Sequence, residues 1–544
     1  VRRFAAALGL AVSVGGTPYL DRHADDAVRF RPFGEAAFAE AREKNRLVFV
    51  SVGFFACNGC HVMEAESFED AEMGALFEAR VVPVLVDRDD RPDLDARFAR
   101  ELRRFGVEVG WPMTLWLLPD GRAVSAATYL GPAELRVRTE RLAELWAREP
   151  ARLLAVADAS SAVSGVEAAA KPVTIPAARE NLRRLAAAVA EGFDEQHGGL
   201  RGAPKFPRDL PTTALFVAER SGIAGAAAPA TRTLDAILGS ALHDRVDGGF
   251  HRYAVDSAWQ EPHWEKTLED NVLLALDLLD AWRVTGQEAY RQGARSTLAF
   301  VQTRLALSGG RLAQALDSDR VYYQRPASER ARSQPPARDD SVVVAPNAHA
   351  ARALARAGAW FGEPESLDRA RGTLDALLAA RRAGVLPHSL RRGSGPASLA
   401  DHAALGLAAL DFFAASGEVG HLEAARQLDL EIARSFTAED GGLLEFLDGS
   451  RQVLEDRPAP SGAALGLELA ARLSLLDPPA DRSRVVRAQS ALARLSGAIA
   501  DEPVAHADAL LASLILERPI EIVIAVSERR DARPWVDLAA RRAP

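Results

Sequence analysis

Up to about residue 150 the apolar positions change period several times. The stretch "FGEAAFAEAREKN" (33–45) sets Phe33, Ala37, Phe38 and Ala41 on one helical face. "RLVFVSVGF" (46–54) is a continuous β-branched run, the pattern of a strand buried on both faces. "HVMEAESFEDAEMGALFEAR" then reads as helix, "VVPVLVDRD" (81–89) as a second buried strand and "PDLDARFARELRRFG" as helix. "GWPMTLWLLPDGRAVSAATYL" reads as two short strands around the turn Pro119-Asp120-Gly121. The order β-α-β-α-β-β predicts an α/β domain.

Past about residue 172 the strand signal nearly vanishes. Helical segments rich in Ala and Leu are expected near 176–193, 210–221, 230–245, 264–284, 287–306, 346–360, 364–382, 398–415, 420–436, 461–475, 482–500 and 506–516. Glycine turns punctuate them at Gly198, Gly248, Gly309, Gly384 and Gly441, with spacings of 50, 61, 75 and 57 residues. That is two helices plus connections per unit. A sixth turn, near "ADEPVAHAD", lacks the glycine. Six hairpins suit a closed ring, because an open stack leaves an apolar end uncovered. In such a ring the loops after alternate helices gather at one face and line a central pocket. "PIEIVIAV" (519–526) reads as a lone late strand. The expected organisation is multidomain: 1–165 an α/β domain with an N-terminal leader, 172–516 an all-α (α/α)6 toroid, and 517–544 a C-terminal strand and tail.

Composition narrows the partners. A chain of 544 residues exceeds one core. A net charge of −9 with no basic tract argues against nucleic acid. No apolar run reaches the roughly 18 residues that span a bilayer, so no membrane is expected. The leader "VRRFAAALGLAVSVGG" has the outline of an export signal without a clean cleavage site, and the cytoplasm is the expected location.

The only two cysteines lie in "FFACNGCH" (54–61). Three chemistries compete for Cys57-Asn58-Gly59-Cys60-His61. Structural zinc wants about four ligands, and no second pair exists. C-x-x-C-H is also a c-type haem attachment string, but haem would need export and an axial partner. A dithiol at a helix start after a central strand, as in thioredoxin folds, accounts for more of the chain. There Cys57 would be the exposed nucleophile and Cys60 the resolving thiol. His61 would tune a thiol, shuttle a proton, or serve only in capping or packing. Pro112, in "GWPMTLW", stands where such folds place a cis-proline beside the dithiol. Its plain alternative is a strand-entry proline. No metal or cofactor is expected.

The densest polar and aromatic stretch is "VDGGFHRYAVDSAWQEPHWEKTLEDN" (246–271). His251, Arg252, Tyr253, Asp256, Trp259, His263, Glu265 and Asp270, with Lys205 and Phe206 from an equivalent turn, are the candidate ligand-binding residues. Aromatic faces stack on sugar rings, and carboxyls or histidines move protons. Asp317, Asp319 and His388 fall in neighbouring turns. The bland alternative is that these loops only cap helices.

The motifs together resemble a known family. "TPYLDRHADDAVRFRPFGEAAFAEAREKNRLVFVSVGFFACNGCHVMEAESFED", "VDRDDRPDLD", "GWPMTLWLLPDG", "TYL", "GAPKFP", "GGFHRYAVDSAWQEPHWEKTLEDN" and "DRPAPSGAALGLELAARL" are similar, in order, to the spermatogenesis-associated, thioredoxin-like proteins. The resemblance implies an N-terminal thioredoxin-like domain and a C-terminal toroid akin to six-hairpin glycosidases and N-acylglucosamine epimerases. It implies a redox motif at Cys57, Cys60, His61 and Pro112, and an acidic-basic loop at Asp87, Arg88, Arg91, Pro92 and Asp93. It adds Lys266 to the toroid signature. The chain departs from the family pattern at Asn58-Gly59, in the loop "ALDSDRVYYQRP" and at Ala463. The expected function is thiol-disulfide exchange or redox sensing through Cys57 and Cys60, with a protein thiol or disulfide as partner. The alternatives are a carbohydrate-active epimerase, isomerase or hydrolase acting on a sugar-like molecule in the toroid, or a non-catalytic binding protein.

Overall fold

A computed structural model describes residues 16–163, 178–381, 384–391, 393–450, 459–478 and 481–517. The expected leader and the strand at 519–526 lie outside the described residues. The chain divides into two compact units, residues 1–166 with 387–395, and 167–386 with 396–544.

The first unit is built on a five-stranded sheet of order β1-β3-β2-β4-β5, made of Arg31–Pro32, Leu47–Gly53, Val81–Asp87, Met113–Leu117 and Ala123–Ala127 as β1 to β5. Strands β1, β3 and β2 run parallel, while β4 is antiparallel to both β2 and β5. Every residue of β2 and β3 is buried, as their unbroken apolar sequences require. Alternate side chains feed two cores. Val48, Val50 and Val52 join Phe98 and Leu102 on one face. Leu47 and Phe49 join Phe68, Phe77 and Trp116 on the other.

Among the described residues, seven α-helices accompany this sheet: α1 Pro18–Arg22, α2 Glu35–Lys44, α3 Asn58–Met63, α4 Ala71–Arg80, α5 Pro92–Arg104, α6 Pro132–Arg148 and α7 Pro150–Val163. Helix α3 runs on into a wider π-type turn, Glu64–Phe68. Parallel strands with an antiparallel edge pair are the mixed sheet of a thioredoxin-like domain.

The second unit is helical: α8 Ala178–Gly192, α9 Thr212–Arg220, α10 Ala228–Gly239, α11 Leu268–Thr285, α12 Glu288–Arg304, the short α13 Arg320–Tyr323 and α14 Ala327–Arg330, α15 Val344–Phe361, α16 Pro364–Ala379, α17 Leu399–Ser416, α18 Val419–Ser435, α19 Gly462–Ser474, α20 Ser483–Asp501 and α21 Ala507–Glu517. Helices α9, α11, α15, α17, α19 and α21 each pack on the next, and α21 returns to α9. The six partners α8, α10, α12, α16, α18 and α20 pack outside them. This is the closed (α/α)6 toroid the repeat predicts. Inner helices are buried nearly all round, as α15 and α17 show, whereas outer helices such as α12 and α16 bury one face. Helix α17 is long and apolar enough to cross a membrane, contrary to the expectation that no segment is. It is 72% buried inside the ring, which accounts for its composition. Where the ring closes, the amide of Ala178 donates to both carboxylate oxygens of Glu517 at 3.0 Å.

The turns enter the inner helices through tight glycine geometry. Gly310 has φ +75, and a Cβ there would stand 2.5 Å from the backbone of Gly372. Its carbonyl accepts from Thr373 Oγ1 at 2.7 Å. Gly310→Ala combines a left-handed backbone with a backbone collision. It should destabilise the toroid by about 2–3 kcal/mol, seen as a lowered urea midpoint.

Candidate functional site

Strand β2 ends at Gly53, and the chain passes through Phe54, Phe55 and Ala56 into α3. Cys57 is the N-cap of α3 with an extended backbone, φ −78 and ψ 103. Its Sγ accepts a hydrogen bond from the amide of Cys60 at 3.1 Å. A sulfur held by a helix-start N–H is held where negative charge is favoured. Cys57 and Cys60 form a disulfide with Cα atoms 5.2 Å apart.

Both cysteines are buried, at 3% and 2% exposure. The expectation of an exposed Cys57 is therefore corrected: Phe54 and the Trp111 loop crowd the motif. Phe54 packs edge-on to Trp111 with ring centroids 6.2 Å apart. The Trp111–Pro112 peptide is cis. A Cβ on Gly59 would lie 2.9 Å from the Trp111 carbonyl oxygen and 3.3 Å from Pro112 Cδ. Glycine between the cysteines thus lets the proline loop rest on the motif, which gives the Asn58-Gly59 departure a spatial reason.

Trp111 is fixed from outside the motif. Its Nε1 donates to Asp95 Oδ1 at 2.8 Å, and the Arg88 guanidinium covers its ring at 4.1 Å. Arg88 is anchored in turn by its amide, which donates to the Gly53 carbonyl at 2.9 Å. The Trp-Pro loop is expected beside the dithiol, but Asp95 does not stand out in sequence, because nothing in a helical pattern says which side chain will hold that loop. His61 turns back, its Nε2 2.7 Å from the Phe55 carbonyl oxygen, so a bond to the turn carbonyl is part of its role. His388 falls in the first unit, with Nε2 3.0 Å from the Asp89 carbonyl oxygen.

Among the described residues, His23, Asp26 and Glu64 bring possible metal-ligating atoms within 4.8 Å of one another. The set is already engaged: His23 Nδ1 meets Asp26 at 2.7 Å, and Arg22 donates to Glu64 at 2.8 Å.

In the toroid the predicted residues separate into two groups. Arg252, Tyr253, His263, Glu265 and Asp270 come together. Tyr253 and His263 face each other across two paired short strands, β6 Tyr253–Ala254 and β7 Pro262–His263. The Tyr253 ring is sandwiched between Phe206 and His263, each 4.5 Å away. His263 Nδ1 contacts Glu265 Oε2. Glu265 is fully buried, and its Oε1 has no hydrogen-bond partner. Arg252 lies 3.6 Å from Glu265 and 3.6 Å from Asp270. Burial, and then Glu265, push the Tyr253 phenol up to about 12. Burial raises Asp270 against the opposing pull of Arg252. A carboxylate, an imidazole and stacked aromatic faces can bind a polar ring and move a proton.

Lys205, His251, Asp256, Trp259 and Lys266 do other work. Lys205 Nζ donates to Asp194 at 2.6 Å and to the Gly198 carbonyl at 2.8 Å. Lys266 Nζ does the same one hairpin later, to Asp244 at 2.6 Å and the Gly248 carbonyl at 2.8 Å. These are two copies of one clasp on two Gly-Gly turns. Burial would raise Asp244, but Lys266 and Arg330 outweigh it and hold the carboxyl at about 2. Trp259 is buried at φ +62, with Nε1 donating to the His197 carbonyl, and so is not free to stack on a ligand. Asp256 accepts from the amides of Ala258 and Gln260, closing its own loop. His251 sits between Trp264 and Tyr323, with Nδ1 2.9 Å from the Trp264 carbonyl oxygen. Burial, reinforced by Lys266, lowers it to about 3, which keeps it neutral.

Glu445 is a residue sequence reading missed. It is buried beside the first turn of α17, where Oε1 accepts from the Ala400 amide at 3.2 Å. Burial raises its carboxyl to about 7. A lone Glu in "GGLLEFLDG" carries no spacing signal.

A mixed sheet with a disulfide at the start of the helix after its central strand, and a Trp-Pro loop laid on that helix, defines a thioredoxin-like domain, here in one chain with an (α/α)6 toroid. Residues 12–161 match the family Thioredox_DsbH, described as "Protein of unknown function, DUF255". The chain is 34% identical over 318 residues to spermatogenesis-associated protein 20 of Homo sapiens, covering 56% of this chain and 40% of that protein. It is 31% identical over 287 residues to the uncharacterized protein B0495.5 of Caenorhabditis elegans, covering 49% and 38%. The expected resemblance is borne out, and the matched part spans about two-fifths of these relatives' lengths. Among solved structures, a sugar epimerase from a ruminal bacterium aligns with 63% of this chain and 100% of its own at 12% identity and TM-score 0.48. The unsaturated glucuronyl hydrolase of Bacillus sp. GL1 aligns with 63% and 96% at 14% and 0.45. The ring assignment rests on the helix packing itself.

A second buried histidine, His349, is also lowered to about 3, by burial and then Arg352. Both histidines are neutral when folded and bind protons below about 6.5 when unfolded. Stability therefore falls as pH drops from about 6.5 toward about 3. His349→Gln should make the pH dependence of urea-unfolding free energy in that window shallower by one proton.

Proposed function

We propose that this protein carries out thiol-disulfide exchange through Cys57 and Cys60. The observation that supports it best is the bonded cysteine pair at the start of α3, with Gly59 against the Trp111–Pro112 loop. A partner thiolate attacks Cys57 Sγ, the Cys57–Cys60 bond breaks, and its electron pair leaves on Cys60. The partner's second thiol then displaces Cys57 from the mixed disulfide. The partner ends as a disulfide and this chain as a dithiol, having taken two electrons and two protons from it. The reverse sequence reduces a partner disulfide. The Cys60 amide that donates to Cys57 Sγ favours Cys57 as the thiolate in either direction. We place this exchange in the cytoplasm, with a protein dithiol or disulfide as partner. Cys57→Ser should bring glutathione-coupled reduction of insulin down to the uncatalysed rate. An inactive parent protein overturns the proposal.

A second reading is favoured by one observation, the buried Glu265 beside the Tyr253 stack, whose Oε1 accepts no hydrogen bond and lies 3.6 Å from the Arg252 guanidinium. In it the toroid binds a sugar-like ring, with Glu265 and His263 as the proton-moving pair. A panel of hexoses and disaccharides should then contain a ligand that raises the thermal midpoint, with the rise lost in Tyr253→Ala. A panel without effect removes this reading.

A further inference from the structure

Gly53, the last residue of β2, lacks a side chain for a reason of space. A Cβ there would stand 2.3 Å from the Tyr19 hydroxyl oxygen and 2.7 Å from Cys60 Sγ. The phenol and the second sulfur of the pair thus close on the same point above the strand end. Tyr19 comes from α1, far upstream, and is buried at 1% exposure beside a sulfur buried at 2%. Its ring packs edge-on to His23 with centroids 4.8 Å apart, which fixes the direction of the hydroxyl's approach.

The surroundings set the chemistry. Asp87, Glu64 and Asp26 lie near the phenol, and burial followed by these carboxylates raises Tyr19 well above its ordinary value, with Arg22 opposing. Tyr19 therefore keeps its proton throughout the neutral range and is an O–H donor. The same carboxylates disfavour a further negative charge in this corner, so a thiolate on Cys60 depends on a donor beside it.

We infer that Tyr19 is a positioning residue for the dithiol, its hydroxyl donating a hydrogen bond to Cys60 Sγ when the disulfide opens. This rests on the exchange reaction proposed above. When the S–S bond breaks, the electron pair settles on Cys60 Sγ, and the Tyr19 O–H stabilises that thiolate without giving up its proton. In the reverse step, Cys60 Sγ attacks Cys57 in the mixed disulfide and the hydrogen bond is released. The tyrosine thus favours the reduced state and makes the pair the stronger oxidant.

The test is the equilibrium of parent and Tyr19→Phe with reduced and oxidised glutathione at pH 7, together with the thiolate absorbance of each reduced protein across pH. A hydrogen bond to a charged sulfur is worth about tenfold or more. Tyr19→Phe should be reduced about tenfold less readily, a potential about 30 mV more negative for this two-electron couple. Its thiolate titration should also move to higher pH. Equal potentials and superimposable titrations, with the parent exchanging normally, overturn the role of Tyr19 and leave the exchange reaction standing. A parent whose disulfide takes up no electrons from glutathione overturns the exchange reaction, and this inference with it. If Tyr19→Phe does not fold, 3-fluorotyrosine at position 19 is the second probe. Its more acidic hydroxyl is a stronger donor, and it should shift the potential in the opposite direction; no shift overturns the inference.

Discussion

The first unit depends on the absence of room at the end of β2. That strand is buried along its whole length, so whatever meets its last residue must do so without water and without slack. Gly53 resolves the crowding by having no side chain, and three groups use the space: Cys60 Sγ, the Tyr19 hydroxyl and the Arg88 amide on its carbonyl. Gly59 repeats the solution a turn later, against Trp111 and Pro112. Two glycines thereby bring an upstream helix, a central strand, a redox-type motif and a proline loop to one place, and the chemistry follows from that convergence.

The toroid meets a comparable constraint with charge. Its Gly-Gly turns carry backbone carbonyls into the interior, and buried carbonyls need donors. Lys205 and Lys266 supply them, each tied to the aspartate that opens its own turn. Asn271 and Asn347 supply another repeated device, each pairing through its amide with both backbone groups of one turn residue, Phe250 and Leu312 respectively. Cations that look in sequence like ligand-binding groups are here fasteners of the scaffold. The Tyr253, His263 and Glu265 group is held in place by the fastened turns and is not itself one of the fasteners.

The strength of local pattern sorts what the sequence revealed from what it did not. Unbroken runs such as "LVFVSVG" and the recurring glycine turns each admit one physical solution, and the strands and the twelve main helices emerge from them. The cysteine pair was legible because no other cysteine occurs in the chain, and Pro112 because it enters a strand in the order a thioredoxin-like fold requires. Burial was not. Cys57 reads as exposed because a nucleophile is expected to be, and only the Phe54 and Trp111 packing reverses it. Trp259 and His251 read as ligand groups from their company in one polar stretch, yet side-chain direction across a turn is not written in composition. Glu445 and Tyr19 went unassigned because their partners lie far off in sequence, at Ala400 and Cys60.

The seam of the ring shows how the toroid holds its two ends together. The first and last helices of the circle, α8 and α21, pack on each other, α21 also packs on α9, and the Glu517 carboxylate grips the Ala178 amide at the seam. A closed circle shares its strain and its solvent exclusion among all six hairpins, so none has a free edge to peel from. At the seam, as elsewhere round the circle, helix packing does the closing, and the carboxylate pins the two ends in register.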